Sequence, residues 1–250
     1  MPETMTCCVV IPVFDHEHAI GAVVDAILQH QLPCILVDDG SSAGCANKLT
    51  ALTLASPQQI SLVRLDENQG KGAAVIAGIK AAYEKGYTHA LQIDADGQHA
   101  MGDIPRFLNA AAEHPLAIVT GSPVFDESIP KIRFYSRYLT HVFVWLNTLS
   151  FDIKDSMCGF RLYPLDLVMA LLAQQNIGRR MNFDTDILVR LHWKGVEVIN
   201  LPTRVTYPTD GVSHFRLWFD NLLITRMHCQ HFFGMLLRLP VLLVRKLKKR

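Results

Sequence analysis

Two aspartates one residue apart follow an apolar run in the stretch Ala90-Leu91-Gln92-Ile93-Asp94-Ala95-Asp96-Gly97-Gln98-His99. Alternate side chains of an extended segment share a face, so Asp94 and Asp96 are expected to point the same way. Two neighbouring anions repel unless a cation lies between them. Hard divalent cations take oxygen ligands and are often completed by water and substrate phosphates. The pair therefore suggests a metal site facing a phosphate-bearing substrate. The plainer alternative is a turn rich in Asp and Gly that merely ends a strand.

Other residues offer compatible chemistry. Asp38-Asp39-Gly40-Ser41-Ser42 also follows an apolar run. In a nucleotide-sugar enzyme an early carboxylate accepts hydrogen bonds from base or ribose, whereas a helix cap needs the same residue types. Asn68-Gln69-Gly70-Lys71-Gly72 resembles a phosphate cradle at a helix start. It is not a Walker motif, because Asp66 and Gly72 stand where glycine and Ser/Thr are required, and no G-x-G-x-x-G spacing follows. The glycines serve close packing equally well. Arg133 and Arg137 lie one helical turn apart, able either to grip an acceptor phosphate or to cover a surface. Sugar transfer to a hydroxyl needs a carboxylate base, for which Asp155, Asp184 and Asp186 are candidates; a phosphate acceptor needs none. His16 and His18 flank Glu17 and His99 follows the aspartate pair, but the spacing matches no standard zinc pattern.

The elements that must position these residues alternate. Strands are predicted at 7–13, 34–37, 60–65, 88–93, 116–120 and 196–201, with a short one inside 155–164. Helices are predicted at 19–29, 45–55, 70–85, 103–113, 131–149, 165–175 and 184–194. Continuous apolar strands separated by helices predict a mostly parallel α/β sheet covered on both faces. Polar turns follow strand after strand, at 14–18, 38–42, 66–72 and 94–99, and ligands bind beyond the carboxyl ends of such strands. Loops are expected at 121–130 and 202–213.

Composition bounds the rest. The 250 residues are 50% hydrophobic and 19% charged, enough for one large core and apolar enough to suggest a membrane neighbour. The net charge of +1 hides an asymmetry: residues 211–250 hold eight Lys/Arg and one acid, whereas 1–210 hold 16 basic and 22 acidic residues. From about Phe215 the tail reads as an amphipathic helix with a basic end, suited to an anionic membrane surface; the other reading is a helix that caps the core. A boundary is expected near 211, giving a domain at 1–210 and a tail at 211–250. No secretory signal and no run of 18 apolar residues is found, so the expectation is a cytoplasmic protein, peripheral at the inner membrane face, without a transmembrane span. The six cysteines lack metal spacing and read as reduced thiols. No nucleic-acid partner is expected.

Five stretches stand in one order: Val10-Ile11-Pro12-Val13-Phe14, Val37 to Ser42, Asn68 to Ala74, Asp94 to His99, and Asp155-Ser156-Met157-Cys158-Gly159-Phe160-Arg161. In that order they resemble family 2 glycosyltransferases, nearest to the dolichyl-phosphate mannosyltransferase-like branch, over roughly residues 7–210. The resemblance implies a GT-A fold, Mg2+ or Mn2+, a nucleotide-diphosphate sugar donor such as a GDP- or UDP-sugar, a lipid-linked or envelope acceptor, and inversion at the anomeric carbon. It implies nucleotide contacts from Pro12, Phe14, Asp38 and Asp39, and a metal and diphosphate loop at Asp94, Ala95, Asp96 and Gln98. It also implies an acceptor phosphate at Arg133 or Arg137, and Arg216 closing over the donor. Three departures stand out. Asp15-His16-Glu17 replaces an Asn-Glu, so that only Glu17 can stand in; Gly121-Ser122-Pro123 replaces Gly-Ser-Arg; and Asp184 and Asp186 replace a Glu pair. Two other classes compete. A sugar-nucleotide-forming nucleotidyltransferase would want a Gly-rich basic loop where Phe14 to Glu17 stand. A non-catalytic scaffold bound to membrane by its tail would have no need of Asp39, Asp94 and Asp96.

Overall fold

The apolar segments assemble into one seven-stranded sheet in the order β3-β2-β1-β4-β6-β5-β7. The computed structural model describes residues 5–125, 131–206 and 214–248, with side chains of 131–134 left aside. The strands are β1 Cys7–Val13, β2 Cys34–Asp39, β3 Ile60–Leu65, β4 His89–Gln92, β5 Ile118–Phe125, β6 Arg161–Pro164 and β7 Val198–Val205. The helices are α1 Ile20–Gln29, α2 Ala43–Ala55, α3 Lys71–Glu84, α4 Ile104–Glu113, α5 Lys131–Thr148, α6 Leu165–Gln174, α7 Phe183–Trp193 and α8 Leu217–Lys248. Only β6 runs antiparallel to its neighbours, β4 and β5.

The two-residue period of the strands divides the core. Cys8 and Val10 of β1 face a cluster with Ala74, Val75 and Ile79 of α3 and Phe183, Ile187 and Leu191 of α7. Val9, Ile11 and Val13 face the opposite cluster, with Ile20, Val24 and Ile27 of α1, Leu49 of α2 and Phe107 of α4. Strands buried on both sides need no polar alternation, which is why they read as unbroken apolar runs. Each such Val, Leu or Ile contributes about 1.5–3 kcal/mol by burial.

Parallel packing brings the ends of β1, β2, β3 and β4 to one edge, so the turns after them meet there. Because β6 runs the other way, its beginning lies at the same edge, and so does the Asp155 to Phe160 turn that precedes it. Neighbouring β1 and β4 also mark where the strand order reverses, the usual ligand crevice of such sheets.

Three boundaries differ from the sequence expectation. β5 and β7 pair over eight residues, Ile118↔Val198 to Phe125↔Val205, and so extend into both predicted loops. Their prolines do not interrupt the pairing. Ile118 donates its N–H to Glu197 of the β7 side while Gly121 donates to Phe160, so Pro123 falls on the side away from β7, where β6 has already ended. β4 stops at Gln92, which leaves Asp94 to Asp96 in a turn rather than on an extended strand. The tail is a helix, as expected, and it runs unbroken over 32 residues with Pro240 inside it.

Helix α8 lies on α5 and α7. Its buried residues, Asp220, Met227, His228, His231, Met235 and Leu242, follow a helical period. A Cβ at Gly234 would strike the Trp193 ring, so glycine is what lets α8 approach α7 closely. Arg238 stacks over the same ring at 4.8 Å, and Arg245 donates to the His192 carbonyl at 3.1 Å. By length and composition alone α8 is able to cross a membrane: its most apolar 18-residue window has mean hydropathy 1.3. Arg226 and Arg238 interrupt its apolar sequence, so no unbroken apolar run marks it.

Candidate active site

A lysine joins one of the expected ligands, Asp94, to Asp184. Lys71, the first residue of α3, extends its ammonium to within 2.9 Å of Asp94 Oδ2 and 2.8 Å of Asp184 Oδ2. Burial alone would strip Lys71 of its proton, but the two carboxylates outweigh it and hold the pKa above the usual lysine value. Burial likewise disfavours charge on Asp94, and the Lys71 ammonium overrides it, keeping that carboxylate well below its ordinary range. Asp96 goes the other way: burial, then the charge of Asp94, raise its pKa. Its Oδ1 accepts the Gln98 N–H at 3.0 Å, which shapes the turn. Asp94 Oδ1 is buried and has no hydrogen-bond partner among the described residues. His99, with its ring tilted on Phe160, comes to 3.9 Å from the other oxygen.

This donor set fits a hard divalent cation. It offers carboxylate oxygens, one of them buried and unpartnered, beside a second carboxylate whose pKa is raised by burial and by the charge of Asp94. Ala95 is buried in the core, so only its backbone faces the loop. A Cβ at Gly159 would overlap the Asp94 carboxylate, and this glycine lets the turn before β6 close over it.

Asp39 organises the neighbouring turn. It accepts from Gln69 N at 2.8 Å, Gly70 N at 2.9 Å and Asn68 Nδ2 at 3.1 Å, so the carboxyl end of β2 is tied to the start of α3 and to Lys71. Burial raises the Asp39 pKa against the pull of those N–H groups. Arg180 donates to Asn68 Oδ1 at 3.2 Å and Arg179 to Gln69 Oε1, adding two cations that no motif announced. Phe14 meets His214 edge-on at 5.0 Å, and His16 does so at 5.1 Å. Pro12 is buried within β1 beside Val37, and Glu17 is partly buried.

Asp184 is held from three sides. Besides Lys71 it accepts from Gln92 Nε2 at 3.0 Å, while its own carbonyl accepts from the fully buried Arg161 at 2.6 Å. Tyr163 donates to Gln92 Oε1 at 3.0 Å and completes the network. A buried network of this kind is stable only when its members are satisfied. Neither Gln92 nor Tyr163 carried a sequence signal, since both sit in strands that read as apolar.

Not every expected residue reaches this cluster. Asp38 points to the other face of β2, where Ser41 N at 2.9 Å and Arg64 Nε at 2.9 Å take its oxygens. Asp186 lies two residues beyond Asp184 on a helix and so faces nearly opposite. It binds Arg190 at 2.5 Å, His231 of α8 at 2.7 Å and Gly178 N at 2.8 Å, which places this candidate base against the tail helix and away from the cluster. Asp155 is gripped by Arg137 through two bonds, at 2.5 and 2.7 Å, and lies 3.1 Å from His141. Burial opposes its charge, yet Arg137 and His141 hold its pKa well below the usual range. Arg216 immediately precedes α8; its N–H donates to Asp220 Oδ2 at 2.7 Å and its side chain is exposed. The side chain of Arg133 lies outside the described residues.

A mostly parallel sheet with one antiparallel strand, and acidic and basic turns gathered at its carboxyl edge, defines the GT-A class of nucleotide-diphosphate-sugar transferases. Residues 8–169 match the profile of glycosyl transferase family 2, and the chain belongs to that family and is an enzyme of its type. It is 27% identical to polyprenol monophosphomannose synthase of Mycolicibacterium smegmatis, covering 84% of this chain and 81% of that one. It is 29% identical to dolichyl-phosphate beta-glucosyltransferase of Dictyostelium discoideum, over 72% of this chain and 60% of that protein. Among solved structures, glucosyl-3-phosphoglycerate synthase from Mycobacterium tuberculosis, in complex with Mn2+ and UDP-glucose, superposes with a TM-score of 0.60 at 16% identity, over 90% of this chain and 76% of that one. At that identity the likeness bears on the fold.

Proposed function

We propose that this protein transfers a sugar from a nucleotide-diphosphate donor to a lipid-linked phosphate acceptor, with inversion and with a divalent metal. The observation that carries the reading is the buried, unpartnered oxygen of Asp94 beside Asp96 and Lys71 at the carboxyl edge of the sheet. Asp94 and Asp96 would hold Mg2+ or Mn2+, with Gln98 shaping their loop. Bound there, the ion would neutralise the donor diphosphate and help it depart as a leaving group. Phe14, Asp39, Arg180 and the turn 68–70 line the side where the nucleoside would lie.

The state of the carboxylates supports a phosphate acceptor. Asp155, Asp184 and Asp186 are each committed to cations, so none is poised to deprotonate a hydroxyl. A phosphate monoester, mostly dianionic at neutral pH, brings its own nucleophilic oxygen. Arg137, over the Phe125 ring and bonded to Asp155, is the cation best placed to exchange partners with it. The names of the two curated relatives, a polyprenol phosphate and a dolichyl phosphate sugar transferase, agree with this class of acceptor.

A lipid acceptor also suits the outer face of α8. Trp218, Leu222, Phe233, Leu236 and Leu237 are exposed there, and Tyr138, Leu139, Val142 and Leu146 are exposed on α5. We read α8 as lying in the headgroup layer rather than crossing it. Its body contacts run from Asp220 to Arg245, a length of roughly 38 Å along a helix, greater than the ~30 Å hydrocarbon core. A spanning helix would have to leave them.

The donor claim is tested by thermal shift with UDP, GDP and dTDP, with and without Mn2+. A metal-dependent rise with at least one nucleotide is expected, and Asp96→Ala is expected to abolish it. If no nucleotide raises the melting temperature of the wild type with metal present, the catalytic reading fails.

A further inference from the structure

We infer that Lys71 is a resident counter-ion that makes metal binding depend on the nucleotide diphosphate. The inference rests on the donor reading above and adds a rule of assembly to it. The ammonium stands at 2.9 and 2.8 Å from Asp94 and Asp184, on the same carboxylate that a divalent ion needs. It is not a stray surface side chain. Lys71 is largely buried, its helix start is fixed by the bonds from Gln69 and Gly70 to Asp39, and Asp184 is held in turn by Gln92.

This arrangement balances two carboxylates, Asp184 buried and Asp94 partly so, that would otherwise repel each other. A divalent ion arriving alone at Asp94 and Asp96 meets the lysine charge at close range in a poorly solvated place, where like charges are weakly screened. A diphosphate changes both terms. Its oxygens neutralise the ion and also offer the ammonium new acceptors. A lysine is suited to such an exchange, being a point charge with rotatable donors on a flexible stem. Metal and nucleotide thus enter as a pair, and by linkage each strengthens the other equally. A lysine that serves only as a diphosphate ligand has a different signature: its loss weakens nucleotide binding and leaves the affinity for metal alone unchanged.

The experiment titrates Mn2+ into the full chain, reading free ion by electron paramagnetic resonance, first without nucleotide and then with saturating UDP or GDP. Three proteins are compared: wild type, Lys71→Met, and Lys80→Met, which removes an equal charge from the exposed side of the same helix. Lys71→Met is expected to bind Mn2+ alone about tenfold more tightly than wild type. The gain from nucleotide, about tenfold or more in wild type, is expected to fall below about threefold in Lys71→Met. Lys80→Met should match wild type. Unchanged or weaker binding of Mn2+ alone by Lys71→Met overturns the inference and leaves the donor reading standing. The same holds if Lys80→Met behaves as Lys71→Met does. Should Lys71→Met not fold, the wild type still decides, because Mn2+ that binds as tightly without nucleotide as with it also overturns the inference. A wild type that binds neither nucleotide in the presence of Mn2+ overturns both.

Discussion

Gly159 illustrates how much of the site rests on single residues. The turn before β6 closes on the Asp94 carboxylate only because no Cβ intervenes. Gly159→Ala forces one of the two to move, an overpacking cost of roughly 1–3 kcal/mol. We expect the variant to melt several degrees lower and to lose at least about tenfold in affinity for Mn2+ with nucleotide. Wild-type affinity in a folded variant would argue that Asp94 is not a ligand. The glycine stood in plain view within Asp155 to Arg161, but its neighbour did not. Sixty-five residues separate Gly159 from Asp94 along the chain, and only strand order places them in contact. Asp184 and Asp186 teach the same lesson. As residue types they were equivalent candidates, and the helix turned one towards Lys71 and the other towards α8.

At the scale of elements, α7 joins the two sides of the molecule. Its first turn carries Asp184 at the site and Asp186 at the tail, and nearly every residue of the helix is buried. His231 on α8 completes the joint and is itself fully buried. Its replacement by alanine leaves a buried carboxylate short of a partner, at a cost of about 2 kcal/mol, measurable by urea unfolding. The pH dependence has a definite sign. Burial alone would raise the Asp186 pKa, but the bonds and charges of His231 and Arg190 bring it below the ordinary 3.8. A carboxylate whose folded pKa is depressed contributes stability above the unfolded value and loses it as pH falls through the folded one. The stability difference between wild type and Asp186→Asn is therefore expected to shrink as the pH falls below 3.8. A difference that grew on acidification would contradict the assignment.

For the whole molecule, the question is what covers the apolar face of α5 and α8. On α8 the buried and exposed sets occupy opposite sides of one helix, so the outer side is not spare core. On the membrane reading proposed above, the positive tail on a negative body would favour an anionic bilayer and orient the body away from it. We predict that the full chain co-sediments with vesicles containing phosphatidylserine. The triple substitution Trp218→Ser, Phe233→Ser and Leu237→Ser should abolish this while leaving transfer to a short-chain, water-soluble lipid phosphate intact. Equal sedimentation of the variant would remove the tail from the membrane reading. Truncation of α8 is the poorer experiment, because it uncovers Trp193, Asp186 and the apolar side of α7.

The local pattern of the chain was enough for the α/β class, for most elements, and for the turns that carry Asp39, Lys71, Asp94 and Asp155, because burial on both faces and turn chemistry leave direct marks on neighbouring residues. It was not enough for the lengths of β5 and β7, which depend on pairing between segments 80 residues apart. Nor did it show that Lys71 sits between two aspartates, that Arg137 holds Asp155, or that a tail histidine takes Asp186. Those pairings are between groups distant in sequence. Charge and residue type state only that each needs a partner, and the packed sheet and helices decide which one it meets.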